Sequence, residues 1–141
     1  MVFSKLNKFL FAGIFSLILS VLIVSCSKEA GEGGTASIKG KVYGDYYNKS
    51  FTTFYGSSYV PDKDVYIIYG DDASYGERVR TSYDGSFEFK YLRKGDYKVF
   101  VYSIDSTLTL PSGLNTILKS GTIDENGQEL DLGTFKTLEN K

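Results

Sequence analysis

Residues 81–101, TSYDGSFEFKYLRKGDYKVFV, carry the clearest structural pattern in the chain. Phe87 and Phe89 alternate with charged residues, and an apolar or aromatic side chain occupies every second position from Tyr97 to Val101. Because successive side chains of a strand point to opposite faces, a period of two is typical of β-strands. Asp84-Gly85 is a strong signal for a tight turn between antiparallel strands. The segment therefore predicts two strands, the first preceded by a hairpin turn.

The same alternation continues on both sides of this segment, with turn residues between the apolar runs. Glu125-Asn126-Gly127 predicts a second hairpin, which joins residues 117–123 to residues 129–137. Residues 106–110 fit either a short strand or a loop. Frequent turns and the absence of a helical stripe favour an all-β fold, a seven-stranded antiparallel β-sandwich. The other predicted strands cover residues 38–42, 64–70, 77–82, 86–91 and 96–103.

Tyr97 has the position of a tyrosine corner, a buried tyrosine whose hydroxyl bonds to upstream backbone. It follows the turn residue Gly95 and starts a strand, which is the arrangement of such corners. It also shares its face with Val99 and Val101, so the pleat predicts an inward ring. An exposed strand tyrosine is the alternative.

Residues 81–101 also resemble the carboxypeptidase regulatory-like domain. The matching motifs are the Asp84-Gly85 turn, then G-x-F-x-F from Gly85 to Phe89, then L-x-x-G-x-Y-x-V-x-V from Leu92 to Val101. Residues 38–42 are similar to the opening strand of that family, and residues 61–67 to its P-x-x-x-V strand. The resemblance covers residues 36–102 and implies a transthyretin-like (prealbumin-like) sandwich with an immunoglobulin-like arrangement. It also implies a non-catalytic module, although this chain carries the domain alone. The related hydroxyisourate hydrolases use histidines, which this chain lacks.

The first 25 residues predict a signal-peptide helix. Lys5 and Lys8 precede an apolar run of 16 residues from Phe9 to Val24. As a helix this run is about 24 Å long, which is short for the roughly 30 Å hydrocarbon core of a bilayer. A basic start, an apolar centre and small residues before a break are typical of secretory signals.

Residues 23–26, Ile-Val-Ser-Cys, resemble the bacterial lipobox. The resemblance implies cleavage between Ser25 and Cys26, diacylglyceryl transfer to the Cys26 thiol, and acylation of the new amine. Fatty acyl chains such as palmitate hold a domain at a bilayer through their buried methylene groups. The membrane is then a partner through this lipid, and the predicted location is the bacterial cell envelope, with the leaflet left open. An ordinary secretory cleavage site beside an incidental cysteine is the alternative.

The predicted organisation has three parts. Residues 1–25 are the signal peptide, residues 26–35 a lipidated tether, and residues 36–138 the sandwich. The tether is predicted to be flexible because it is rich in glycine and charge and has no large apolar side chain after Cys26.

Composition argues against several classes of function. The chain has one cysteine and no histidine, which excludes an internal disulfide, Ser-His-Asp or Cys-His catalysis, and imidazole metal ligands. A net charge of −1 gives no reason to expect nucleic acid as a partner. We therefore predict no cofactor, no metal site and no enzymatic activity.

Carboxylates are the remaining side chains that could act in catalysis. Two of them can in principle serve as acid and base. Most lie where turns favour them, however, including Asp62, Asp84 and Asp124. Residues 70–77 contain several oxygen ligands but lack the alternating spacing of a calcium loop. A carboxylate-based hydrolase is therefore the weakest of the alternatives.

The most unusual part of the composition is aromatic. All 12 tyrosines lie between Tyr43 and Tyr102, and many fall in residues 44–60, which predict a long loop. Tyrosine, serine, glycine and asparagine together resemble the composition of binding loops. The alternative is that this loop folds back over the outer strand face that carries Tyr66, Phe100 and Tyr102, so that the rings only pack together. The candidate binding residues are Tyr46, Tyr47, Phe51, Phe54, Tyr55, Tyr59, Tyr66, Phe100 and Tyr102.

These observations predict a cell-envelope lipoprotein whose sandwich is a non-catalytic binding or assembly module. A protein partner or a glycan is expected, and the sequence leaves its identity open. A glycan-capture lipoprotein is the first alternative, because exposed aromatic rings also stack on sugars.

Overall fold

The computed structural model describes residues 29–107 and 109–141, and this part of the chain is all β, without a helix. The predicted signal peptide and the lipidation site, Ser25 and Cys26, lie outside these residues. Within the described ranges, no helix is long and apolar enough to cross a membrane. The eight strands are β1 (Glu32–Tyr47), β2 (Phe54–Tyr59), β3 (Asp64–Tyr69), β4 (Glu77–Arg80), β5 (Ser86–Leu92), β6 (Gly95–Ile104), β7 (Leu114–Ile123) and β8 (Glu129–Asn140).

The strands form two four-stranded sheets. Sheet I is built around β1, which pairs with β5 and then β2 along one edge and with β8 along the other. Sheet II has the order β4-β3-β6-β7. Every pairing is antiparallel except that of β1 with β8, which is parallel. The fold is thus a β-sandwich of the predicted class.

The core lies between the two sheets. Alternation brings one face of each strand inward, as Ile38 and Val42 do on β1 and Val99 and Val101 on β6. Phe87, on β5, contacts Phe135, on β8, with the two ring centroids 5.6 Å apart. Each such side chain contributes roughly 1.5–3 kcal/mol when it is fully buried. The buried apolar core consists of Ala36, Ile38, Val42, Val60, Val65, Ile67, Phe87, Phe89, Leu92, Tyr97, Val99, Val101, Ile123 and Phe135.

Tyr97 has the inward ring that its position predicted. The side chain is buried, and its hydroxyl donates to the Arg93 carbonyl at 2.7 Å. The same oxygen accepts a hydrogen bond from the Gly31 backbone N–H at 3.0 Å. A Cβ on Gly95, whose φ is +143°, would lie 2.8 Å from the Cβ of Ala30. The corner therefore fixes the segment before β1 against the start of β6.

The sandwich extends further towards the N-terminus than predicted. β1 begins at Glu32, within the segment predicted as a flexible tether over residues 26–35. A Cβ on Gly34 would lie only 1.9 Å from the Leu92 carbonyl oxygen, so glycine allows the strand to approach β5 here. Gly34, one of the glycines that suggested flexibility, instead permits close backbone contact.

The number of strands also differs from the prediction of seven. Residues 44–60 are not a long loop: β1 continues to Tyr47, and β2 pairs with it as an antiparallel hairpin. The high content of tyrosine and phenylalanine in this segment is consistent with strands, which favour aromatic residues. Glycine, serine and asparagine between the rings obscured the period of two.

Both predicted hairpins are wrong in their pairing, although both turns occur. The Asp84-Gly85 turn joins β4 of sheet II to β5 of sheet I, and the Asn126-Gly127 turn joins β7 to β8, again between sheets. Gly85 and Gly127 have left-handed φ values of +74° and +75°, as such turns require. The turn residues thus predict where the chain reverses but not which strands pair.

Candidate functional site

The nine candidate aromatic residues occupy two separate places. Tyr46, Tyr47, Phe51, Phe54, Tyr55 and Tyr59 belong to the β1–β2 hairpin of sheet I. Tyr66, Phe100 and Tyr102 lie on β3 and β6 of sheet II, on the face opposite the core. The structure therefore does not unite them into one binding surface.

Side-chain hydrogen bonds and ring contacts organise the tip of the hairpin. The Asn48 side-chain oxygen accepts hydrogen bonds from the backbone N–H groups of Thr52 and Thr53, at 2.9 and 3.0 Å. This arrangement holds Phe51 in the left-handed region, at a φ of +54°, which is unusual for an aromatic residue. The Tyr47 ring contacts those of Phe51 and Phe54, with centroid distances of 5.8 and 5.2 Å. The tip is a small, preorganised aromatic cluster.

A groove runs beside β2, and we call it the tyrosine groove. Its aromatic walls are Tyr46, Tyr55, Tyr59 and Tyr83, and its volume is about 760 Å³. Tyr83 is 93% exposed and Tyr55 is 55% exposed, so these rings have few protein contacts of their own. The other residues of the lining are Gly56, Ser57, Ser58, Pro61, Asp84 and Lys141.

The β4–β5 turn forms one wall of the groove because it packs tightly against β1 and β2. The Val42 N–H donates to the Gly85 carbonyl at 2.9 Å. A Cβ on Gly85 would lie 2.6 Å from the Val42 carbonyl oxygen and 3.0 Å from the Tyr59 Cβ. This close approach places Tyr83 and Asp84 beside Tyr59.

Charged and aromatic contacts also fix the Tyr59 ring. It meets the Tyr43 ring edge-on at 5.2 Å, and the Lys41 ammonium lies 4.9 Å from its centroid. Lys41 in turn donates to Asp84 at 3.0 Å. The Ser86 hydroxyl, the Lys41 ammonium and the Ser86 N–H all bond to the Asp84 carboxylate and lower its pKa to about 2. Asp84 is therefore ionised at neutral pH and paired.

The aromatic residues of sheet II pack largely on one another. Tyr66 stacks on Phe100 with centroids 5.0 Å apart, and Tyr102 meets both rings edge-on. Tyr75, from the β3–β4 connection, covers Tyr66 at 4.9 Å. Phe100 is consequently only 8% exposed. The alternative that residues 44–60 cover this face is wrong, because they form a hairpin in the other sheet.

A second depression, of about 790 Å³, lies beside β1, β5 and β8 and is lined by both signs of charge. Its lysines are paired with carboxylates, as Lys39 is with Glu129 and Lys90 with Glu88. Exposed pairs of this kind contribute little to stability. Because the charges are already paired, this depression does not favour an anionic ligand over a cationic one.

Metal ligands and acid–base groups are the remaining features that could form a catalytic site. In the described ranges, no group of three or more acidic, cysteine or histidine residues is placed to hold a metal ion. Burial, and then the charge of Glu32, raise the pKa of Glu77. The Tyr69 hydroxyl donates to Glu32 at 3.2 Å. Neither carboxylate lines the tyrosine groove.

Sequence reasoning missed Tyr83, Pro61 and Lys141 as groove residues. Tyr83 did carry a signal, since an aromatic residue next to an Asp-Gly turn has no strand face to bury it. The position of Lys141 depends on the parallel return of β8 beside β1, which no local pattern predicts.

No protein-family model matches the sequence. No curated protein matches it either. The resemblance to carboxypeptidase regulatory-like domains therefore remains a sequence-based prediction.

Proposed function

We propose that the protein is a lipoprotein of the bacterial cell envelope, anchored through acyl chains on Cys26. In this proposal the sandwich is a non-catalytic module that binds a ligand or assembles with a partner at the membrane surface. The lipobox-like residues 23–26 support the anchor, and the exposed tyrosine groove supports the binding role.

The observation that carries the proposal is the position of the groove along β1. Glu32 starts this strand, and the groove lies beside Tyr43 to Tyr47, at its other end. Glu32 and Ala36 both lie opposite Leu92, so the regular part of β1 begins near Ala36. At about 3.3 Å per residue, it separates that end from Tyr43 and Tyr47 by roughly 23–36 Å. Five residues separate Cys26 from Glu32, a span of at most about 20 Å. The groove thus lies at the end of β1 opposite the end at which an anchored chain would enter the sandwich.

The exposed rings support a binding role in their own right. Single exposed apolar side chains are ordinary, but a cluster within one concavity is typical of ligand sites. Tyr55, Tyr59 and Tyr83 are all exposed within the tyrosine groove.

The carboxylates favour a module without catalysis. Asp64 is paired with Arg78 and Arg80, and Asp71 with Lys98. Asp84, the carboxylate of the groove, is paired with Lys41. Carboxylates paired in this way form ordinary surface salt bridges and are not arranged as a general acid and a general base.

The anchor is tested with the full chain and its Cys26→Ser variant, expressed in bacteria with labelled palmitate. We expect label on the wild-type protein, which should sediment with membranes, and an unlabelled variant. Mass spectrometry of a wild-type product with an unmodified Cys26 would refute the anchor.

The binding role is tested by photo-crosslinking in intact cells. A photoreactive phenylalanine at position 55 or 83 should give adducts, because both positions line the groove. Position 91 is the matched control, since Tyr91 is 71% exposed and lies near the Glu32 end of the sandwich. Equal adduct yields from all three positions would count against a binding role for the groove.

A further inference from the structure

We infer that the tyrosine groove binds a neutral oligosaccharide. The inference rests on the proposed function, because it names the ligand class of the same binding site. It follows from the chemistry of the lining, its charge balance and the shape of the β2 edge.

The lining combines apolar faces with hydroxyl groups. The faces of aromatic rings carry partial negative charge and attract the partly positive C–H groups that cover one side of many sugar rings. Tyr46, Tyr55, Tyr59 and Tyr83 supply such rings and phenolic hydroxyls as well. The Ser58 hydroxyl and the Asp84 carboxylate add hydrogen-bonding groups at the border of the groove. A polyol with apolar ring faces matches both parts of this surface.

The charge of the lining favours a neutral ligand. Its charged side chains are one acid, Asp84, and one base, Lys141. Asp84 is already paired with Lys41 at 3.0 Å. A phosphorylated or sulfated ligand would need several free cations, which this lining does not provide.

The edge of β2 is poorly shaped for an added peptide strand. The pairing of β1 with β2 shifts register between Tyr46 and Tyr47, and Gly56 has a φ of +124°. Such a bulge twists an edge and interrupts the ladder that an incoming strand needs. A ligand recognised through stacked rings does not depend on that ladder.

The backbone around the groove is held in place by packing, and the groove is of suitable size. Gly85 packs the β4–β5 turn against Val42 and Tyr59. The turn, which carries Tyr83, therefore contacts β2, which carries Tyr59, directly. Backbone elements that are already in place need not be ordered when a ligand binds. A volume of about 760 Å³ lies within the range of sites for drug-sized ligands and suits a short oligosaccharide.

The test titrates the full chain, in a detergent without sugar groups, with neutral hexasaccharides of glucose, xylose, mannose and N-acetylglucosamine. The chain has no tryptophan, so its fluorescence reports tyrosine directly. Oligogalacturonate and decaproline serve as anionic and peptide probes. We expect at least one neutral hexasaccharide to bind, and Tyr83→Ala and Tyr55→Ala each to weaken it about tenfold or more, which is the loss of one good contact.

Tyr91→Ala is the control variant, because it removes an exposed tyrosine outside the groove. It should leave the affinity unchanged, and all three variants should keep the melting temperature of the wild type. The inference is overturned if no neutral hexasaccharide binds, if decaproline or oligogalacturonate is the only ligand, or if Tyr91→Ala weakens binding equally. In those cases groove-specific crosslinks in cells would still support the proposed function, so the two failures are distinguishable.

Discussion

At the scale of single residues, the Tyr97 hydroxyl joins three parts of the chain. It donates to Arg93 in the β5–β6 turn and accepts from Gly31, which precedes β1. The Arg93 N–H also donates to the Gly31 carbonyl at 2.8 Å, so a direct hydrogen bond joins the two segments as well. Burial of the phenol raises the pKa of Tyr97. One hydroxyl therefore fixes the entry of the chain into the sandwich.

Replacing Tyr97 by phenylalanine should lower the free energy of unfolding by about 1–3 kcal/mol, because the buried Gly31 N–H and the Arg93 carbonyl lose their partner. Urea denaturation measures this difference. Tyr91→Phe is the control, since the exposed Tyr91 ring makes no comparable contact. Equal stability of the two variants would show that the hydroxyl of Tyr97 makes no net contribution.

Asp105 predicts a dependence of stability on pH. Its carboxylate accepts hydrogen bonds from the Thr107 hydroxyl and from the N–H groups of Leu110, Thr107 and Thr109, which lower its pKa to about 2. These bonds organise the loop that follows β6, where residues 106 and 107 form a turn rather than a strand.

Because the pKa of Asp105 is lower in the folded state than in the unfolded chain, its contribution is complete above about pH 4 and is lost as the pH falls towards 2. The urea midpoint of the wild type should drop across this window. Asp105→Asn should flatten the drop without abolishing it, since the pKa of Asp84 is also lowered to about 2. A variant with the same pH profile as the wild type would contradict this role.

At the scale of elements, the Asp84-Gly85 turn and the Asn126-Gly127 turn have a similar glycine conformation but different surroundings. Gly85 and Gly127 have nearly the same φ, yet a Cβ would clash with Val42 and Tyr59 only at Gly85. At Gly127, a Cβ would meet nothing within 4 Å. Substitutions at Gly127 and Gly85 therefore separate the stability lost through a left-handed backbone from the stability lost through disrupted packing.

Gly127→Ala should cost about 1 kcal/mol, which is the usual penalty for an alanine in the left-handed region. Gly85→Ala should cost at least about twice as much, because the turn must also move away from β1 and β2. Thermal denaturation of both variants measures the difference. If the two losses are equal, the β4–β5 turn does not depend on its close packing.

At this scale the sequence predicted more of the strands than of their pairing. The strands at residues 64–69, 86–92 and 95–104 appear close to their predicted positions, because alternation within a strand depends on neighbouring residues alone.

The tyrosine groove was only partly predicted. Tyr46, Tyr55 and Tyr59 were candidates by composition, whereas Tyr83 joins them through packing between the turn and β2.

At the scale of the whole molecule, Lys119 connects the two sheets across one open side of the sandwich. It lies on β7 of sheet II, and its ammonium donates to the Leu132 and Thr134 carbonyls of β8 at 2.7 and 3.1 Å. The same ammonium lies 5.0 Å from the centroid of the Phe135 ring. β7 and β8 are edge strands, and an inward lysine is one way in which proteins protect such edges from pairing with other chains.

Lys119→Met should lower the free energy of unfolding by about 1–3 kcal/mol, because two carbonyls lose a charged donor. It should also increase self-association at high protein concentration, measured by sedimentation velocity. Lys136→Met, on an exposed position of β8, is the control and should be nearly neutral in both assays. A Lys119 variant that stays as stable and as monomeric as the control would rule out this protective contact.

By itself, the sequence determined the all-β class, the positions of the turns and the inward ring of Tyr97. These features depend on backbone preferences and side-chain alternation within a few residues, and they are therefore local. Only the tertiary structure decided that both turns cross between sheets and that β8 returns in parallel beside β1. It also decided that Tyr83 and Tyr59 line the same groove. Pairing and packing of this kind join segments that are distant in the chain, and their energy depends on the match between whole surfaces rather than on any local pattern.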